Sequence, residues 1–252
     1  INPKSVWEII ANNNNGYKLV KNNKNDGIQP PQTDLDFYYY KEYVAKLIDR
    51  YGAQVAGWFL FNEPADDYKT SQDNYDVNSY LKLVEITYPI IKAKNPEAIV
   101  ILGGPAANSK LDFYAQVLAE LEKKKADPNS SCYRTGCFDV WDYHTYAVAS
   151  EYGKIWTNRI ALSSANTNET YRYFQIYRDL LDNYGFEDKP LITKEGGTHT
   201  GADNTINKPP GKDNRELLSQ DERDQAAFLV KRAVYLLSKG VRLINWSTIL
   251  EH

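Results

Sequence analysis

Ala56-Gly57-Trp58-Phe59-Leu60-Phe61-Asn62-Glu63-Pro64 is the stretch on which the fold turns. Six residues without polar alternation, stopped by Asn-Glu-Pro, suit a short strand buried on both faces, as in a parallel sheet flanked by helices. Glu63 then stands at the C-terminal end of that strand. Upstream, Phe37, Tyr40, Val44, Leu47 and Ile48 recur at helical spacing from Asp34, and Tyr51-Gly52 stops the pattern. Downstream the alternation repeats. A helix over Ser79 to Lys94, with a kink expected at Pro89, precedes the apolar run Ala98 to Leu102 and the turn Gly103-Gly104-Pro105. A helix from Leu111 to Lys124 leads to a strand over Phe138 to Tyr143, and one from Thr170 to Tyr184 is ended by Gly185. A strand over Pro190 to Lys194 follows. The last helix opens on the capping box Ser219-Gln220-Asp221-Glu222, runs to Lys239, and hands over to Val241 to Trp246. Five strands therefore alternate with helices over residues 34–252. Residues 1–33, rich in Asn, Lys and Gly and ending near Pro30-Pro31, form a loop-rich N-terminal segment with one short helical turn expected.

A second acid, Glu195 in Leu191-Ile192-Thr193-Lys194-Glu195-Gly196, stands at the end of another expected strand. Parallel strands joined by helices build either an open sheet or a closed barrel. In an open sheet in sequence order, the three strand spacings between Glu63 and Glu195 would separate them by roughly 14 Å, too far for joint attack on one bond. A (β/α)8 barrel turns both toward one mouth. It also places chemistry at the C-terminal ends of its strands, where Glu63, His144, Glu195 and Trp246 all fall. Two carboxylates at one mouth are the minimum apparatus for cleaving a glycosidic bond, one giving a proton and the other acting as nucleophile or base. Taken singly, Glu63 also suits a first-turn acid behind an Asn62 cap, Glu195 a solvated loop acid, His144 a structural histidine and Trp246 a filler of the barrel mouth.

The ordered series Asn62-Glu63-Pro64, Gly103-Gly104-Pro105, His144-Thr145-Tyr146, Lys189-Pro190-Leu191 and Glu195 resembles the clan A glycoside hydrolases, with families 39 and 5 closest. These are retaining barrel enzymes with the proton donor after strand four and the nucleophile after strand seven. The resemblance implies Glu63 as general acid/base and Glu195 as nucleophile, with Asn62 holding the sugar 2-hydroxyl. It further implies that His144 and Tyr146 contact substrate and carboxylates, Tyr146 orienting Glu195, and that Trp246 is the platform on which a sugar ring stacks. The expected activity is cleavage of β-linked oligo- or polysaccharides. A carbohydrate-binding or surface-assembly module that keeps the barrel without turnover is the alternative. Lys194, where relatives more often carry a small polar residue, should point away from the site by strand alternation. On this alignment the chain carries only strands four to eight. It is expected to be part of a longer protein, with the missing barrel segment, or a partner chain, covering its edges.

Bulk properties are compatible with this. A 42% hydrophobic and 25% charged composition is ordinary for a globular chain, and a formal charge of −3 argues against a nucleic-acid or anionic-membrane partner. No apolar run reaches the roughly 18 to 20 residues of a membrane span. The chain has no methionine, even at position 1, so an upstream start is expected. Cys132 and Cys137 flank a four-residue turn. A bridge there would favour an oxidising, extracellular or secreted setting, and free thiols are the alternative. Three histidines and two close cysteines make no recognised zinc spacing, and no phosphate-loop, dinucleotide or nucleophile-elbow motif occurs. Neither a metal nor an organic cofactor is expected.

Overall fold

The computed structural model describes residues 9–12, 17–19, 30–71, 74–105, 110–146, 169–197 and 222–246. The chain divides into two compact units. The first comprises Ile1–Pro105, Ser109–Asp142 and Leu181–Lys189, and the second Ala106–Asn108, Tyr143–Leu180 and Pro190–His252.

The first unit begins with a hairpin, β1 (Ile9–Asn12) antiparallel to β2 (Tyr17–Leu19), where a loop with a helical turn was expected. Helix α1 (Asp34–Tyr51) starts at a capping box. Thr33 Oγ1 accepts from the Asp36 N–H, and the Asp36 carboxylate accepts from the Thr33 N–H at 2.9 Å. Its buried residues Phe37, Tyr40, Val44 and Ile48 form one stripe. That stripe packs on α3 (Val77–Lys94), which carries Pro89 within it. Tyr40 and Thr87 share a buried hydroxyl bond of 2.6 Å between these helices, and burial pushes the Tyr40 phenol well above its ordinary pKa. Between them lie β3 (Gly57–Phe59), the short helix α2 (Pro64–Asp67) and a second hairpin, β4 (Lys69–Ser71) with β5 (Asn74–Tyr75).

Strand β6 (Ile99–Leu102) pairs in parallel with β3, Gly57 opposite Ile99. Helix α4 (Leu111–Ala126) then leads to β7 (Val140–Tyr146), parallel to β6 with Ile101 opposite Val140. Asp139 fixes the entry to β7. Its carboxylate accepts the Val100 N–H at 2.8 Å and pairs with Lys92 Nζ at 2.7 Å. Cys132 and Cys137 are joined in a disulfide just before this strand, both buried. Of the two alternatives the sequence left open, bridge or free thiols, the structure has the bridge.

Strand β7 runs on into the second unit, where β8 (Leu191–Gly197) is its neighbour in the order β3-β6-β7-β8. Helix α5 (Glu169–Asn183) precedes β8, and α6 (Glu222–Ser238) follows it. The expected capping box at 219–221 lies outside the described residues. Beyond Gly240, at φ 84°, the chain returns alongside β8, with Thr193 bridged in parallel to Ile244. The fifth strand read over Val241 to Trp246 is thus reduced to a single bridge. Alternating helices and parallel strands in sequence order are the (β/α)8 arrangement expected, with this chain carrying part of a barrel.

Candidate active-site residues

Asn62 and Glu63 lie in the first unit, in a bend directly after β3. The Leu60 N–H still donates to the Ile101 carbonyl at 2.9 Å, and then the backbone leaves the sheet through Phe61 at φ 138° and Glu63 at φ 47°. L-residues rarely adopt such angles, and non-glycine residues held there concentrate at functional sites. The sequence supports the bend in two ways. Gly103 lies against it, so that a Cβ there would overlap the Phe61 carbonyl, and Pro64 supplies a preset first turn to α2. Phe61 itself is buried, edge-on to Tyr68 with ring centroids 5.6 Å apart. Glu63, not Asn62, occupies the N-cap of α2, and its side chain makes no capping bond. The carboxylate is therefore not consumed in holding the helix. Lys110 pairs with Asp66 on the same side of the unit. Burial lowers the pKa of Lys110, and the nearby negative charge of Glu63 opposes that shift.

The second unit holds His144, Tyr146, Glu195 and Trp246. His144 lies on β7 and is fully buried, whereas Glu195 on β8 is half-buried. Glu195 Oε2 lies 3.6 Å from His144 Nδ1, and Oε1 lies 3.1 Å from Lys194 Nζ. The first distance exceeds a direct hydrogen bond, so its strength depends on whether the imidazole is protonated. Lys194 corrects an expectation: its ammonium contacts Glu195 instead of pointing away. Alternation governs only the first bond of a side chain, and the four-carbon stem of lysine is long enough to return. The main chain of Glu195 is held too, its carbonyl accepting from Thr193 Oγ1 at 2.9 Å. Trp246 stands half-buried, edge-on to Phe228 at 5.9 Å, with its indole over Gly197. Tyr146 ends β7, and the orienting role expected of its phenol falls outside the described side chains.

The sequence matches the family described as Cellulase (glycosyl hydrolase family 5) over residues 7–249. The chain belongs to glycosyl hydrolase family 5. Among solved structures, this family 5 chain is similar to a glucosidase from Croceicoccus marinus, with 16% identity and a TM-score of 0.56 over 86% of this chain and 39% of that one. It is also similar to a β-glucuronidase from Bacteroides uniformis, with 11% identity and a TM-score of 0.51 over 87% of this chain and 22% of that one. Identities this low show the fold alone. No curated protein sequence matches the chain.

Sequence reasoning missed two features of the family 5 chain. Lys110 and Asp66 sit beside Glu63, with no periodic signal to pair them. Arg232 lies fully buried on α6 between Phe228 and Leu236. A cation at the centre of an i, i+4, i+8 apolar stripe was the signal available for it.

Proposed function

We propose that this family 5 chain supplies both catalytic carboxylates of a retaining glycosidase acting on β-linked oligo- or polysaccharides outside the cell. Glu63 serves as general acid/base and Glu195 as the nucleophile that forms a glycosyl-enzyme intermediate. Such a mechanism needs a neutral acid and an ionised nucleophile, with the carboxyl groups about 5–5.5 Å apart. The observation that carries the reading is the setting of Glu195, one oxygen facing the Lys194 ammonium and the other the buried His144 imidazole. Those neighbours complement the negative charge a nucleophile must keep. The strained bend that presents Glu63 at the end of β3 supports the second role. Asn62 is assigned to the sugar 2-hydroxyl, Tyr146 to orienting Glu195, and Trp246 to stacking on the ring. The buried disulfide fits an extracellular setting.

Kinetics on an aryl β-glycoside test the assignment. Glu195→Gln should abolish turnover, and Glu63→Ala should lower it by about 10²–10⁴-fold. A 2-deoxy-2-fluoro glycoside should add its glycosyl mass to the wild type and not to Glu195→Gln. Full activity in Glu195→Gln would sink the nucleophile assignment. Saturable oligosaccharide binding without product release from the wild type would instead favour a binding module.

A further inference from the structure

Arg232 is an expensive residue where it stands. Phe228 and Leu236, one helical turn to either side on α6, are buried apolar side chains, and a leucine or methionine between them would complete the stripe. A guanidinium is retained there instead, fully enclosed. Its Nη2 donates to Thr193 Oγ1 at 3.0 Å and to Thr145 Oγ1 at 3.3 Å, and its Nη1 donates to the Asn245 carbonyl at 3.4 Å. These three acceptors share a property. Thr145 stands between His144 and Tyr146, Thr193 stands two residues before Glu195 and bonds the Glu195 carbonyl, and Asn245 immediately precedes Trp246. One planar fork therefore ties the three chain segments that carry every site residue of the second unit. Asn245 adds a cross-tie by donating Nδ2 to the Lys194 carbonyl at 3.0 Å. Gly196 completes the arrangement: a Cβ at that position would overlap Arg232 Nη2 and the Thr145 carbonyl. The residue after the proposed nucleophile is thus a glycine because the guanidinium and the Thr145 carbonyl together fill the space.

We propose that Arg232 is a positioning residue, a buried clamp that holds the His144, Glu195 and Trp246 segments in fixed register for catalysis. The proposal rests on reading Glu195 as the nucleophile. Misplacement of a reacting group by about 1 Å can cost on the order of a hundredfold in rate. A single guanidinium that sets three segments is a place where such a loss would arise without direct contact with substrate.

The test uses the full chain with Arg232→Met, Arg232→Lys and Gly196→Ala. Each variant is followed by thermal unfolding, by kcat and KM on an aryl β-glycoside, and by the Trp246 indole and His144 imidazole NMR resonances. Arg232→Met should fold, shift both sets of resonances, and lose kcat on the order of a hundredfold while KM changes less than about threefold. Arg232→Lys should recover part of kcat. Gly196→Ala removes no polar group but crowds the guanidinium and the Thr145 carbonyl together. It should shift the same resonances, and if Arg232→Met does not fold, Arg232→Lys decides the matter: wild-type resonances with wild-type kcat in it overturn the proposal. Unmoved resonances with wild-type kcat in Arg232→Met overturn the proposal. So does a kcat loss that tracks the loss of melting temperature and is not recovered by lysine. Absence of turnover in protein that has the complete barrel rejects the glycosidase reading separately. The resonance shifts in Arg232→Met and Arg232→Lys then still decide whether Arg232 sets these segments.

Discussion

Replacing Thr193 by valine keeps the shape of a side chain with no solvent exposure and removes one hydroxyl. That hydroxyl accepts from Arg232 Nη2 at 3.0 Å and donates to the Glu195 carbonyl at 2.9 Å. A hydrogen bond to a charged group contributes about 1.5–3 kcal/mol, and a neutral one about 1 kcal/mol. The second Nη2 bond, to Thr145, keeps the guanidinium partly satisfied, so the lower half of that range applies. Thr193→Val should therefore cost about 3 kcal/mol. Thr193→Ser retains both bonds and loses one buried methyl, a cost of about 1 kcal/mol. The roughly 2 kcal/mol between the two variants corresponds to about thirtyfold in the folding equilibrium, and to a melting difference of about 4–8 °C for a chain of this length. Urea unfolding followed by tryptophan fluorescence, with wild type, serine and valine forms side by side, measures it. If valine is as stable as serine, the guanidinium does not depend on Thr193, and the argument built on its buried bonds is wrong.

Three further outcomes are expected. Cys132→Ala/Cys137→Ala should lower stability by about 2 kcal/mol through loss of loop closure alone, read as a drop in melting temperature that reduction of the wild type reproduces. Gly136 lies at φ 69° with the Phe186 ring where a Cβ would go, so Gly136→Ala should cost about 2 kcal/mol or more in urea unfolding. Asp139→Asn keeps an acceptor for the Val100 N–H but no longer neutralises Lys92, a cost of about 1 kcal/mol. Asp139→Ala also orphans the Val100 N–H, while Lys92 Nζ keeps the Pro96 and Ala98 carbonyls, and should cost clearly more in the same assay; equal costs would exclude the Val100 bond as a contributor.

The central strands and helices were readable because apolar runs and apolar stripes leave no other economical placement. Helix α1 was read to its observed bounds, Asp34–Tyr51, from spacing alone, and the observed strands β3 and β6 fall inside the predicted runs. The hairpins were not read. In β1 and β2 the Asn-rich sequence looked like loop, although Asn15-Gly16 between the two strands is itself a tight-turn signal. β4 and β5 are three and two residues long, too short to show a period. The bend at Phe61 to Glu63 was equally invisible. Positive φ at a phenylalanine and a glutamate is imposed by packing around Gly103 and Pro64, and local propensity opposes it.

Lys194 and Arg232 show where periodicity stops being informative about a site. Periodicity fixes the direction of the Cα–Cβ bond, which decides where an apolar side chain ends because such side chains are short or branched. A lysine or arginine carries its charge several rotatable bonds further, so its destination is set by electrostatics and by available space. Lys194 starts on the face opposite Glu195 and finishes on its carboxylate. Arg232 starts in an apolar stripe and finishes on three polar groups beside the proposed site residues. Both therefore break the local pattern in the sequence, one as a cation beside an acid at a strand end and the other as a cation within a core stripe. Burying a guanidinium costs free energy that a hydrocarbon would not, and the bonds it makes in return fix the groups that accept them. In the second unit, the groups that Arg232 bonds stand next to or near His144, Glu195 and Trp246. A cation at a core position of the helix that follows a catalytic strand is accordingly the feature to seek when reading related sequences.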